Sequence, residues 1–466
     1  MLFRTMRTKM HGLGIAAGVF GCAVAGFASQ GLAWSLQEAA APYKGKKITV
    51  ICDGYSPCLA YKKIAKSFTE KTGIEVSVEV ADLLQVQQQI LTDALTGTQV
   101  YDAVQVISWS VGVWGSQGFA KPMQGFLDDA KLRDPGLKTE DFIPENFKIT
   151  STYGGKVIGL PFHYIPPFAI YRKDIAANAD EQAAFKAKYG YDMPLKGDKI
   201  ASVDTWQQWT DMAEFFTRKK GEKVAGQALE NPIYGVTAAF KRHLTVLYDY
   251  ERILLGMGGE ILNTKGEVAL DSPEALKALE YMLKWRDFSP SSYKEYTWDE
   301  QYSDFCAGNL FSTFSWGDTT PFLEVEKDCP KAAGNLGYFL HPGTHKTAAE
   351  GQGWIIPKKA PNAEAAYLFL QHLASKEVQA ACQATGCATY RTDVLAMSDW
   401  DGEGRFHMHR KLIEDGHLYV RPNPPALLAI QEIMMEELSA AGAGTQDAKT
   451  TIANMVERAN KVINGN

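Results

Sequence analysis

Past its first thirty positions the chain has no run of eighteen apolar residues, so nothing there would cross a bilayer as a helix. It has no excess of basic residues. Lys and Arg number 48 against 54 Asp and Glu, and the resulting net charge of −6 excludes the broad basic face of a nucleic-acid binder. There is no internal repeat, no low-complexity tract and no linker rich in Pro, Gly and Ser, which excludes collagen-like and solenoid architectures. Cysteine is sparse, at seven in 466 residues. No CxxC pair occurs and no His stands at ligand spacing beside a Cys, so a structural zinc is not expected. HExxH, GxSxG and P-loop strings are also absent, and Gly256-Met257-Gly258 lacks the third glycine of a dinucleotide fingerprint. No metal and no cofactor is expected.

What is present is ordinary globular composition, 45% hydrophobic and 22% charged, in a chain long enough for two or three domains. Arg4, Arg7 and Lys9 open it, an apolar stretch of small residues runs from Gly12 to about Ala28, and cleavage positions follow Ala28 and Ala33. That is the three-part plan of a secretory signal, expected over 1–33. Simple cleavage is favoured over lipidation at Cys22, because Phe20 is bulky two residues earlier. Loss of 1–33 removes three positive charges, and −6 − 3 gives −9 for the remainder. The six other cysteines fall into near pairs, Cys52/Cys58, Cys306/Cys329 and Cys382/Cys387, which read as disulfides in an oxidising compartment. Six cysteines allow 15 connectivities, and nearest-neighbour pairing is the simplest.

Periodicity predicts a strand over Lys47–Cys52, a helix through Ala60, Ile64 and Phe68 ending at Gly73, and a strand over Glu75–Val80. A second helix through Val86, Ile90 and Ala94 ends at Gly97, and a strand follows over Asp102–Val106. This β-α-β-α-β order implies a parallel sheet, with ligands outside the carboxyl ends of its strands. Those ends carry Asp53-Gly54-Tyr55 and Ser108-Trp109-Ser110. A second α/β region has strands at Phe168–Tyr171 and Leu310–Phe314 and a helix to Phe216 with Asp204 as candidate cap. Leu276, Leu279 and Leu283 line a further helix face, Ala363–Leu373 is helical, and a long helical stretch starts at Pro425.

Ordered motifs cover nearly the whole chain after the signal. They include Leu127-Asp128, Phe142-Ile143-Pro144, the Tyr153–Pro161 run rich in glycine, Tyr171-Arg172-Lys173-Asp174 and Thr205-Trp206. Gly258-Gly259-Glu260-Ile261 follows, then Asp271–Glu274, Phe305–Gly308, Gly353–Ile356, Glu364-Ala365-Ala366 and Arg421-Pro422 with Pro424-Pro425. In this order they resemble the sugar-type, maltodextrin-binding-like solute-binding proteins of ABC transporters. The resemblance implies two α/β lobes joined by hinge crossovers, with a ligand cleft between them. It implies lobe one at about 46–162 and 314–373, and lobe two at about 163–313 and 374–466. It implies a periplasmic monomer that binds a sugar or polyol, closes by hinge motion and docks on a membrane permease. On these bounds Cys306–Cys329 would tie one lobe to the other and restrain opening.

Sugar recognition needs flat aromatic faces for the ring and planar polar groups for the hydroxyls, whose burial unpaired costs about 1–3 kcal/mol each. Asp53, Tyr55 and Trp109 follow strands; the plain alternatives are turn chemistry and core packing. His163 and Tyr164 fall at the first expected crossover. Trp316 and Asp318 follow the returning strand, where the resemblance puts an aromatic near ligand. Gly353 would allow close backbone approach beside Trp354, and Arg391 could fork onto vicinal hydroxyls or a carboxylate, or make a surface ion pair. Two other functions share much of this pattern. A secreted carbohydrate hydrolase would need two carboxylates about the scissile bond, which counting cannot exclude. A receptor feeding a membrane sensor would differ only in its partner. Asp399–Glu403 has some calcium-loop flavour, but its spacing reads as a solvated turn.

Overall fold

The first two strands each lead into a helix, and each of those helices stops at a glycine. In the computed structural model, which describes residues 34–384, 387–397 and 404–465, strand β1 (Lys47–Asp53) leads to α1 (Ser56–Thr72). The expected signal, with Cys22 and both cleavage positions, and the Asp399–Glu403 turn lie outside the described residues. Gly73 closes α1 at φ 74°, a left-handed turn that a side chain would strain. Strand β2 (Glu75–Ala81) follows, then α2 (Leu83–Thr96), capped by the Asp82 side chain on the Leu84 amide and closed by Gly97, then β3 (Ala103–Ile107). Helix α3 (Pro144–Ser151) precedes β4 (Leu160–Tyr164), and β5 (Pro167–Arg172) starts three residues later. The second region holds β6 (Ile200–Ala201), α4 (Trp206–Phe216), α5 (Leu244–Gly256) and α6 (Pro273–Lys284). Strands β7 (Ser312–Trp316), β8 (Leu336–Phe339) and β9 (Gly351–Ile355) come next, then α7 (Ala363–Leu373), α8 (Arg405–Glu414), α9 (Leu427–Ala443) and α10 (Ala448–Ile463). The cap of α4 is Thr205 in a reciprocal capping box with Gln208, not the expected Asp204.

Two sheets organise the chain. The first has the order β2-β1-β3-β9-β4, with β9 antiparallel to both neighbours. The second has the order β7-β5-β8-β6. This is the two-lobe α/β architecture that the sequence implies, with different bounds. Strand β8 pairs along β5 from Leu336↔Arg172 to Phe339↔Ala169, so the chain stays in lobe two past residue 314 and returns to lobe one at β9. The segment after residue 373 also departs from expectation. Ala374, Val378, Cys382, Cys387 and Tyr390 share the lobe-one core with Phe68 and Phe369, so the chain passes to lobe two only with α8. There Met408 and Leu412 pack with Phe168 and Ile170.

All three near cysteine pairs are bonded: Cys52–Cys58, Cys306–Cys329 and Cys382–Cys387. Because residues 314–339 lie in lobe two, Cys306–Cys329 joins parts of one lobe, and Cys329 is buried with Phe305, Leu310 and Leu323. The expected restraint on opening is therefore absent. Helix α5 is buried along its whole length, yet carries Asp249, Glu251 and Arg252. Charges placed so deep require partners, and those partners build the region where the lobes meet.

Candidate functional site

The carboxyl ends of β1 and β3, the start of β9, the end of β7 and one face of α5 converge on one cavity. Its walls are Leu83, Ile107, Ile165 and Leu244 with the aromatics Tyr55, Tyr248, Trp298 and Trp316. Its polar lining is Asp318, Thr319, Glu350 and Gln352. Both lobes contribute, and they touch at the rim, where Ser56 Oγ donates to the Asp318 carbonyl at 3.4 Å.

Of the residues singled out from sequence, Tyr55, Trp316 and Asp318 line this cavity. Tyr55 stands between Cys52 and Cys58, whose disulfide closes the loop from the end of β1 into the first turn of α1. Trp316 meets Tyr248 edge to face at 4.8 Å and has the Arg252 guanidinium 4.2 Å from its ring centre.

Asp53, His163 and Trp109 form a layer behind that lining. Asp53 is fully buried; its Oδ2 accepts from Gln105 Nε2 and Gln352 Nε2, each at 2.9 Å, and Gln105 also donates to Gln352. Burial raises the Asp53 carboxyl above the usual range, against the opposing pull of His163 and the two amides. His163, on β4, places Nε2 3.5 Å from Asp318 Oδ2, so this contact spans the lobes. Trp109 is fully buried beneath the Arg421 guanidinium, 4.0 Å from its ring centre.

The remaining expectations are corrected. Tyr164 is a core side chain packed against His409. Trp354 is wedged against Tyr61 and Phe162 in the lobe-one core. Gly353 is small for packing: a Cβ there would stand 2.1 Å from the Thr150 carbonyl oxygen. Arg391 is only 2% exposed and stands apart from the cavity. Its guanidinium forks onto Asp393 at 2.8 and 3.0 Å, donates to Asp141 at 2.9 Å and reaches the Ala374 carbonyl at 3.1 Å. Those partners hold its pKa up despite burial, so it is a structural cation.

Sequence reasoning missed Gln352, Glu350, Tyr248 and the two arginines. β9 runs antiparallel, so its first residues rather than its last lie at the carboxyl ends of β1 and β3. The site therefore takes Glu350 and Gln352, and Trp354 falls deeper in the lobe. Glu350 accepts from Ser108 Oγ at 2.7 Å and from Arg421, whose Nε also donates to Glu251 at 2.7 Å. Glu251 belongs to α5 and Ser108 follows β3, so Arg421 is held between the lobes. Burial opposes its charge, but Glu251 and Glu350 raise its pKa. The Arg421-Pro422 motif was visible in the sequence; its role here was not.

Comparison with known proteins fits this geometry. A family described as bacterial extracellular solute-binding protein matches residues 59–380, more than two thirds of the chain. An erythritol/L-threitol-binding protein of Mycolicibacterium smegmatis is 21% identical over 345 residues, 72% of this chain and 67% of that protein. An ABC transporter solute-binding protein from Agrobacterium radiobacter, in complex with ribitol, superposes with a TM-score of 0.75 at 22% identity, covering 90% of this chain and 99% of that one. One from Thermotoga lettingae bound with α-D-tagatose gives a TM-score of 0.73, also at 22% identity and with the same coverage. The chain belongs to the bacterial extracellular solute-binding proteins, and is a binding protein rather than an enzyme.

Proposed function

We propose that the chain, exported under its first 33 residues into the periplasm, captures a sugar or polyol between its lobes and delivers it to the permease of an ABC importer. The carrying observation is the composition of the cavity: four aromatic side chains face it together with Asp318, Glu350 and Gln352. Aromatic faces suit the C–H side of a sugar or polyol, and carboxylates and amides suit its hydroxyls. The solutes of those relatives (erythritol or L-threitol, ribitol, α-D-tagatose) are small, neutral and hydroxylated. Tyr55, Trp316 and Asp318 would touch solute, with Asp53, His163 and Trp109 holding the lining from behind. Contacts from both lobes would favour the closed state, a shift in population driven by solute.

A thermal-shift screen of the protein without residues 1–33 tests this against ribitol, D-mannitol, D-tagatose, erythritol and maltose. At about 100 times Kd a bound solute adds about 2.7 kcal/mol of stability. At least one of these should raise the midpoint and be recovered chemically unchanged. A midpoint unmoved by all of them contradicts the proposal.

A further inference from the structure

The ionisable groups around the cavity are unequal in their access to it. Five carboxylates, Asp53, Asp249, Glu251, Asp318 and Glu350, are buried there with two guanidinium groups, Arg252 and Arg421. The two that line the cavity, Asp318 and Glu350, are both carboxylates, and no Lys, Arg or His is among the lining residues. Arg421 is fully turned to other work; Arg252 is so only in part, behind the lining, with its Nε and Nη2 buried without a hydrogen-bond partner among the described residues. Arg421 forks onto Glu251, reaches Glu350 and lies over Trp109. Arg252 meets Asp249 at 3.3 Å and lies over Trp316. His163 stands beside Asp318, adding at most one positive charge behind a lining whose two ionisable groups besides tyrosine, Asp318 and Glu350, are both carboxyl groups.

Two consequences follow. A solute with hydroxyl or ammonium groups meets acceptors in Asp318 and Glu350. A solute carboxylate or phosphate meets like charge in a site largely removed from water, where screening is weak and an unpaired ion is costly. Discrimination of this kind works by repulsion of the wrong solute as much as by attraction of the right one.

Resting on the reading of the chain as a binder of hydroxylated solutes, we infer that the cleft is a charge filter. It admits solutes whose polar groups donate hydrogen bonds and excludes sugar acids and sugar phosphates, with Asp318 and Glu350 as its specificity-determining residues. Asp318 carries the larger share, because Glu350 already shares the Arg421 guanidinium.

Titration calorimetry of the full binding protein tests it with matched probes: ribitol, D-mannitol and D-glucose, the acids ribonate, D-mannonate and D-gluconate, and D-glucosamine as the ammonium counterpart. The tightest neutral probe should bind about 100-fold or more tightly than its own acid, a gap of about two tenfold steps. D-Glucosamine should bind no more weakly than D-glucose. Asp318→Asn removes the charge but keeps the shape, and should narrow the neutral-to-acid ratio by about tenfold or more. Glu350→Gln, measured alongside as an independent variant, should narrow it by less; an unchanged melting midpoint establishes that each variant is folded. An acid that binds as tightly as its neutral partner overturns the filter, and so does rejection of D-glucosamine as strong as that of D-gluconate. A ratio unmoved in both folded variants overturns the assignment to Asp318 and Glu350. These failures leave the sugar or polyol reading standing. Absence of binding by every neutral probe, by D-glucosamine and by all the solutes of the thermal-shift screen would overturn that reading, and the filter with it.

Discussion

The Arg421 guanidinium lies 4.0 Å from the centre of the Trp109 ring, and Arg252 repeats the relationship at 4.2 Å on Trp316. The two pairs flank Tyr248, whose ring meets both tryptophans edge to face. Helix α5 supplies Tyr248 and Arg252 directly and holds Arg421 through Glu251. One buried helix of lobe two thus fixes an aromatic side chain from each lobe. A stacked guanidinium contributes about 0.5–2 kcal/mol and, more usefully here, sets a ring plane.

Replacement of Arg421 by Met should expose this dependence. It leaves Glu251 and Glu350 buried without their shared cation, and breaking such a pair costs about 3–5 kcal/mol. Burial already raises the Glu251 carboxyl, and loss of the arginine would raise it further. A carboxyl with a raised folded pKa is destabilising once ionised, so the deficit should be largest near pH 7 and shrink toward pH 5. Urea unfolding of wild type and variant at both pH values checks this. An equal deficit at the two pH values would contradict it.

Arg391 gives the opposite pattern, a residue that matters for folding and not for solute. Arg391→Ala should lower stability by about 1–3 kcal/mol, since it removes the buried guanidinium's bonds to Asp141, Asp393 and the Ala374 carbonyl and opens a void beside Phe142. The solute Kd should stay within about twofold. Paired denaturation and calorimetry measure both quantities, and a large loss of affinity in a folded variant would return Arg391 to the binding site.

Acid should destabilise the protein partly through His372. Burial first, then the nearby Lys71 charge, push this imidazole down to about 4. Its folded pKa lies below the unfolded value, so its contribution is fully present above pH 6.5 and is lost as pH falls from 6.5 to 4. About 3 kcal/mol is the ceiling for that loss. Buried His341 and His409, held well below their ordinary range, act in the same direction. His372→Gln should shrink the difference in unfolding free energy between pH 7 and pH 4.5. A difference of unchanged size would show that His372 is not a source.

Much of this was legible from residue order. Local pattern places β1, β2 and β3 within a residue or so, and the glycine stops close α1 and α2 where expected, at Gly73 and Gly97. Tyr55 was reachable because strand ends hold ligands in parallel sheets, and Trp316 because the family resemblance puts an aromatic after the returning strand. The lobe bounds were not reachable, since only pairing along β5 shows that β8 remains in lobe two. Nor was the direction of β9, which decides that Gln352 and not Trp354 reaches the cavity. Arg391 and Arg421 look alike in sequence, two arginines in short polar segments. Only the long-range partners Asp141 and Glu251 separate a structural cation from one at the lobe interface.

The most direct test of the central claim is calorimetric titration of the binding protein with ribitol, D-mannitol, D-tagatose, erythritol and maltose, repeated for Trp316→Ala. The account predicts that at least one binds the wild type at a single site and is recovered unchanged. It predicts that truncation of Trp316 weakens the same interaction by about 2 kcal/mol or more, as for a buried aromatic anchor. Absence of binding by all of them, or an affinity unchanged in the variant, would contradict a solute site between the lobes at Trp316.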